Sequence, residues 1–187
     1  MSSLIPQSYG LIRHIGVKLI PWFFAGIILL DLDAKKTILR KIPHALYICG
    51  VKEGDNVNGF TASWVMQASF EPPLVTNGVR KDSGSHAMIQ ASGVFALSFL
   101  DAGQKDMAQK FFKPQRRVGN KFEDVEFYLG ETGCPIIQDS LGYIECNVVG
   151  KVEHGDHTVF VGEVIAAGIH REGAILDLAS TGWNYGG

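Results

Sequence analysis

Asn58-Gly59-Phe60-Thr61-Ala62-Ser63-Trp64, with Pro72-Pro73-Leu74-Val75 beginning eight residues later, is the stretch on which the reading of this chain turns. It sets small hydroxyl-bearing residues and main-chain donors beside a strand. Strand side chains alternate, so Thr61 and Ser63 share one side of an extended segment, while Gly59 and Ala62 let a ligand come close to the backbone. Such a segment suits a phosphate and a planar ring. It also suits a polar strand edge, and the residues alone leave both readings open.

Working outward, residues 45–51 are an apolar run of strand formers, Lys52-Glu53-Gly54-Asp55 is a turn, and residues 57–64 return as a second strand, which makes a hairpin. Residues 74–79 read as a buried strand. Ser83 or Ser85 caps a helix through Gln90 that Gly93 closes, and residues 94–99 give another strand. Upstream, Asp33 caps a short helix through Arg40, with Ile38, Leu39 and Ile42 on its buried side and Pro43 as its stop. Downstream, residues 104–112 place Met107, Ala108, Phe111 and Phe112 on one helical face against Lys105, Asp106, Gln109 and Lys110 on the other. Residues 113–133 read as a polar, irregular excursion over the surface. In the last third, Ile144, Cys146, Val148 and Val152 alternate with Glu145, Asn147 and Lys151, and His154-Gly155-Asp156 turns the chain into residues 158–167. Residues 174–178 supply a final strand. Six or seven strands with two or three short helices predict a mainly β protein, a β-barrel with peripheral α-helices.

Of 187 residues, 46% are apolar and 19% charged, a globular composition that excludes wholesale disorder. Seventeen Lys and Arg against nineteen Asp and Glu leave a formal charge of −2. With no positive field, neither nucleic acid nor a membrane surface is an expected partner. Cys49, Cys134 and Cys146 are odd in number, far apart and without C-x-x-C spacing, which fits a reducing cytoplasm. Residues 19–30 are uncharged but too short to span a bilayer, and Asp31-Leu32-Asp33-Ala34-Lys35 does not look like a signal-peptide cleavage site. They read as a packed N-terminal strand, a dimer contact or an extension foreign to the domain.

Four common site types lack their sequence support: there is no G-x-G-x-x-G after a strand, no Walker loop, no G-x-S-x-G elbow and no H-E-x-x-H. His154 and His157 near Cys146 span a hairpin tip and lack a fourth ligand, so no metal is assigned. Cys49 and His86 can be drawn as a nucleophile pair, yet a thiol in an apolar strand is usually an inert small hydrophobe. What is present lies after the strand of residues 74–79. Arg80, Lys81, Ser83, Ser85 and His86 put two cations and two hydroxyls at a helix N-terminus, a favourable anion site that Asp82 opposes.

The order of segments resembles the flavin reductase-like family of FMN-binding split barrels. The likeness runs through Asn58-Gly59-Phe60-Thr61-Ala62-Ser63, Ser69-Phe70-Glu71-Pro72-Pro73-Leu74-Val75 and Gly93-Val94-Phe95-Ala96-Leu97. Phe111-Phe112, Gly133-Cys134-Pro135, Ile144-Glu145-Cys146, and Gly155-Asp156-His157 with Phe160-Val161-Gly162-Glu163-Val164 look like the family's later blocks. It covers residues 33–187 and leaves residues 1–32 as an extension of unassigned role.

The resemblance implies a homodimeric split β-barrel of Greek-key type that carries FMN, FAD being less favoured, or uses flavin as a substrate. The electron donor is then NADH or NADPH. Some relatives are flavoredoxin-like carriers that serve a redox protein partner without direct use of a nicotinamide, and a non-catalytic flavin-binding module is a third reading. Carried over by position, Thr61, Ala62, Ser63 and Trp64 line the flavin and Ser69 sits near its ring edge. Val79, Arg80 and Lys81 flank the ribityl chain, Ser83 and His86 approach the phosphate, and Phe111, Phe112 and Lys113 close one end of the pocket. His157, the candidate catalytic residue, stands near the ring face where a nicotinamide stacks. Main-chain N–H groups of residues 62–64 are the expected donors to the charge that develops at the N1 and C2 carbonyl edge on reduction. Where the family commonly has a second small or hydroxyl residue after Ser63, this chain has Trp64, which narrows access to the ring or packs as core or interface.

Overall fold

The computed structural model describes residues 17–20 and 28–187, and the backbone divides into two units. The smaller unit, residues 1–42 with 185–187, holds β1 (Val17–Ile20), β2 (Ile28–Asp31) and α1 (Leu32–Leu39). The two strands pair antiparallel, Val17 opposite Asp31. They are the two ends of the apolar run expected as a packed strand; its middle lies outside the described residues. The cap of α1 is Asp31 and not Asp33: Asp31 is extended, and its Oδ1 accepts the N–H of Asp33 at 3.0 Å and of Ala34 at 2.9 Å, the second and third helical donors. The expected apolar face is also corrected. Ile38, Leu39 and Ile42 are exposed and α1 buries no residue, because eight residues beside a two-stranded ribbon have no layer of their own to pack on.

The larger unit, Pro43–Asn184, carries the rest. In chain order it contains β3 (Tyr47–Glu53), β4 (Asn56–Ala62), β5 (Val65–Ser69), β6 (Leu74–Arg80), α2 (Gly84–Ser92), β7 (Val94–Phe99) and α3 (Lys105–Lys110). Then come β8 (Arg117–Val118), β9 (Lys121–Phe122), β10 (Val125–Leu129), β11 (Pro135–Ile137), β12 (Gly142–Val152) and β13 (His157–Ile169). Seven strands form one antiparallel sheet in the order β4-β3-β7-β12-β13-β6-β5. Laid flat, such a sheet is about 29 Å wide from first strand to last. Its two edge strands, β4 and β5, are nevertheless joined by Ser63 and Trp64 alone, a link that spans at most about 11 Å. The sheet must therefore curl until its edges meet, and a hydrogen bond from Gly78 N–H to the Trp64 carbonyl at 2.9 Å ties the link onto β6. The fold is the expected mainly β barrel with peripheral helices.

Alternation then decides what is inside. On β6 and β13, Asn77, Val79, Thr158 and Phe160 are buried and join Cys49, Phe95, Leu97 and Cys146 in the barrel interior, while Gly78, Arg80, His157 and Val159 face outward. A second core lies beneath α3, with Ile48, Leu100, Ala108, Phe111, Phe122 and Phe127. This corrects the reading of residues 113–133 as a surface excursion. β8, β9, β10 and β11 form a second sheet there, and the Phe122 and Phe127 rings stack at 4.4 Å. The polar residues that suggested a loop belong to the tight turn at Gly119 and to outward positions, so two-residue strands carry too little pattern to see. Residues 174–178 are not a strand either; they make single bridges at Ile175 and Asp177 while Leu176 and Leu178 fill the second core. No described helix is long and apolar enough to cross a membrane.

Candidate functional site

The link that closes the barrel is also the centre of the candidate site. Trp64 lies over β6 at Gly78, where a Cβ would come within 3.2 Å of the indole, so a glycine inside a strand marks a close approach. The indole meets the His157 ring with centroids 4.4 Å apart and planes inclined by 35°. His157 begins β13 opposite Arg80, and its Nδ1 lies 2.8 Å from Asp156 Oδ1. That bond holds the Asp156 carboxyl below the usual carboxylate range. Ser63 and Ala62 are buried beside the link, Ala62 with its side chain in the barrel core.

Thr61 turns its main chain away from β3, donating its N–H to the Phe111 carbonyl at 3.2 Å, and its hydroxyl donates to the Ala108 carbonyl at 2.6 Å. The hydroxyl therefore already ties β4 to the end of α3. Asn58 does likewise one turn of chain away, its amide bonding both main-chain groups of Gln115. The Phe111 ring is buried against Gly59 and Phe122, so the carbonyl is what this residue places near Thr61. Phe112 is exposed and packs edge-on against Trp183 at 4.9 Å, and Lys113 beside it is exposed.

On the other side of Gly78, the side chain of Val79 points into the core and only its main chain faces the site. Arg80 pairs with Asp82 through both nitrogens of its fork, Nε at 3.0 Å from Oδ1. Lys81 donates from Nζ to the Glu153 carbonyl at 2.7 Å and from its main chain to the Asp156 carbonyl at 3.0 Å. Ser83 is the cap of α2, accepting the His86 N–H at 3.2 Å and donating to the Arg80 carbonyl at 2.8 Å. His86 Nε2 meets Thr158 Oγ1 at 2.8 Å. Burial pushes the His86 ring below the ordinary histidine range, Lys151 and Lys81 adding to the effect and Glu153 opposing it, so at neutral pH the ring is uncharged.

The structure thus brings Trp64, Arg80 and His157 together at one corner, with Ser63 and Lys81 as their chain neighbours and Ser83 and His86 next along α2, while Thr61 is tied to the end of α3. Ser69 is elsewhere: it pairs with Leu74, at the far end of β6 from Arg80 and about 20 Å away along the strand. The drawn pair of Cys49 and His86 does not form, since Cys49 is enclosed in the barrel with Asn77 as its partner and burial raises its thiol well above the usual range. Sequence reasoning missed Gly78, Asp156 as the partner of His157, and Thr158 as the partner of His86. Of these only Gly78 had a signal, a glycine interrupting an apolar strand.

Comparison with known proteins gives the same direction. The family model of the flavin reductase like domain matches residues 39–180. An NADH-dependent FAD reductase of Streptomyces globisporus is 40% identical over 116 residues, 61% of this chain and 64% of that protein. Diflavin flavoprotein A 1 of Synechocystis sp. is 35% identical over 136 residues, 72% of this chain, and the chain spans only 24% of that protein's length. Among solved structures, the NADH:FAD oxidoreductase of Streptomyces globisporus in complex with NAD and FAD fragments superposes with a TM-score of 0.68 at 32% identity, over 82% of this chain and 90% of that one.

Proposed function

The chain belongs to the flavin reductase-like family, whose model matches residues 39–180, and from that premise we propose that it is a homodimeric FMN-binding NAD(P)H-dependent flavin reductase with residues 33–187 as its FMN-binding domain. The observation that carries the reading is the meeting of the two polar corners at Gly78, with an aromatic pair between them. Their chemistry fits a flavin nucleotide: rings for the isoalloxazine, small residues and main-chain donors at residues 62–64 for its carbonyl edge, and cations with a helix N-terminus for a phosphate. When bound, the flavin supplies the two-electron acceptor. The chain's part is to bind, orient and keep water away. Ser63, buried at the link, and the main chain around it are fixed donors that need not reorganise as charge grows. Lys81 and Arg80 are tethered by Glu153 and Asp82, which sets them beside the corner at little further ordering cost. Ser83 and the N–H groups of α2 face the phosphate end; neutral His86 brings it hydrogen bonding and no charge. His157 lies where a nicotinamide would stack, and Phe112 with Lys113 closes the opposite end.

A second reading, an electron carrier without direct nicotinamide use, draws on the diflavin flavoproteins, in which the matched region is about a quarter of a larger protein. One experiment separates the two. The protein reconstituted with FMN or FAD and mixed anaerobically with NADH or NADPH should bleach near 450 nm within seconds, FMN being retained more tightly. Binding of flavin without bleaching by either nucleotide supports the carrier, and failure to bind either flavin removes both readings.

A further inference from the structure

We propose that Thr158 is a positioning residue for His86: its hydroxyl, buried in the barrel, fixes the imidazole so that Nδ1 carries the proton and is offered as a neutral donor to the phosphate of a flavin mononucleotide. The proposal rests on the flavin reductase reading for its ligand, while the pair itself stands on the geometry of this chain.

Thr158 lies on β13 opposite Val79, and it is fully buried. A buried hydroxyl has a hydrogen to place as well as an oxygen, and leaving that hydrogen unmet carries the full desolvation cost of the group. Among the described residues, Thr158 Oγ1 bonds His86 Nε2 at 2.8 Å and nothing else. The hydroxyl therefore donates to Nε2, which makes that nitrogen the acceptor, and in a neutral ring the proton is then on Nδ1. The reverse arrangement, with Nε2–H donating to Oγ1, would strand the hydroxyl hydrogen inside the barrel.

The ring is held at the first turn of α2, whose Met88 and Ile89 are buried in the barrel core, and the Phe160 ring lies 5.3 Å from the imidazole with planes inclined by 49°. Nδ1 bonds no described residue. Among those residues the one buried side-chain polar atom without a partner is Asn77 Oδ1, so Nδ1 is open to solvent. The Ser83 hydroxyl beside it is committed twice, accepting the His86 N–H at 3.2 Å and donating to the Arg80 carbonyl at 2.8 Å. Charge comes from other groups. Lys151 Nζ lies 3.0 Å from Glu153 Oε2 and 3.1 Å from Gln90 Oε1, and Lys81 Nζ is tied to the Glu153 carbonyl. Burial and these two lysines, opposed by Glu153, keep His86 uncharged at neutral pH, so what the ring contributes is direction. The other tautomer would turn a lone pair, and not a donor, toward a phosphate bound there. Thr158 thus decides between attraction and repulsion.

The test uses Thr158→Val, which keeps the shape and removes the hydroxyl, and Thr158→Ser, which keeps the hydroxyl, with His86→Gln to assign signals. In the protein without flavin, the imidazole nitrogen resonances of His86 should report the Nδ1-protonated tautomer alone in the wild type and in Thr158→Ser, and a mixture in Thr158→Val. In equilibrium titrations, Thr158→Val should raise the Kd for FMN about three- to tenfold and that for riboflavin, which has no phosphate, by less than about twofold, while Thr158→Ser should bind FMN within about twofold of the wild type. In a His86→Ala background, Thr158→Val should have no further effect, since a residue acting through another is silent when that other is gone. An Nε2-protonated ring in the wild type, equal weakening of FMN and riboflavin, or losses that add across the double variant would overturn the proposal. The wild-type resonances can do so whether or not Thr158→Val folds. If the wild type binds neither flavin, the reductase reading fails by itself, and the resonances still decide whether Thr158 sets the tautomer of His86.

Discussion

Single residues of this chain carry more than their type suggests. Glu145 falls among the outward polar positions of an alternating strand, yet the structure buries it completely. Its carboxylate accepts the N–H groups of Glu131 and Thr132 at 2.9 and 2.8 Å and the Thr132 hydroxyl at 2.6 Å. Gly130 is glycine because a Cβ there would overlap that carboxylate. The loop before β11 is thus built around a buried acceptor with three donors aimed at it. Glu145→Gln turns one of those oxygens into a donor facing donors, and should lower stability by about 1–3 kcal/mol in urea unfolding. An unchanged unfolding midpoint would mean that the loop does not depend on this anchor. None of this was legible locally, since an acid in a strand looks the same whether it faces water or a loop that closes over it.

Elements whose signals are local were readable, and those whose partners are distant were not. Gly93 closes α2 as the sequence indicates, with φ of +70°, and of the two serines offered as its cap the structure uses Ser83, whose hydroxyl caps the first turn. Ser83→Ala removes the cap and should cost about 1 kcal/mol of stability in the protein without flavin. The same variant binding FMN as tightly as the wild type would place the hydroxyl with the helix and not with the phosphate. By contrast β5 escaped notice because its middle residues are exposed and carry no alternation, and β8 and β9, at two residues each, are too short for a period to show. α1 was readable in extent but not in cap or packing, because an aspartate stands at both candidate cap positions and only the backbone angle at Asp31 chooses between them.

For the whole molecule the barrel interior sets the chemistry of what it encloses. Burial raises all three thiols, Cys49 well above its usual range, Cys134 to about 11 and Cys146 to about 12. Each stays protonated at neutral pH and shielded from reagents. The folded protein should therefore leave its three cysteines unlabelled by a disulfide reagent at pH 8 over minutes and release three equivalents on unfolding, and rapid labelling of the native state would show that the interior opens. The sequence by itself determined the class of fold, the long β12–β13 hairpin, the end of α2 and the family, because periodicity, helix stops and motif order are properties of neighbours along the chain. Only the tertiary structure decided that a two-residue link joins opposite edges of a seven-stranded sheet, and that this closure seats Trp64 on Gly78 against His157. Those contacts depend on the curl of the whole sheet, which hydrogen bonds between distant strands fix and no local window of residues encodes.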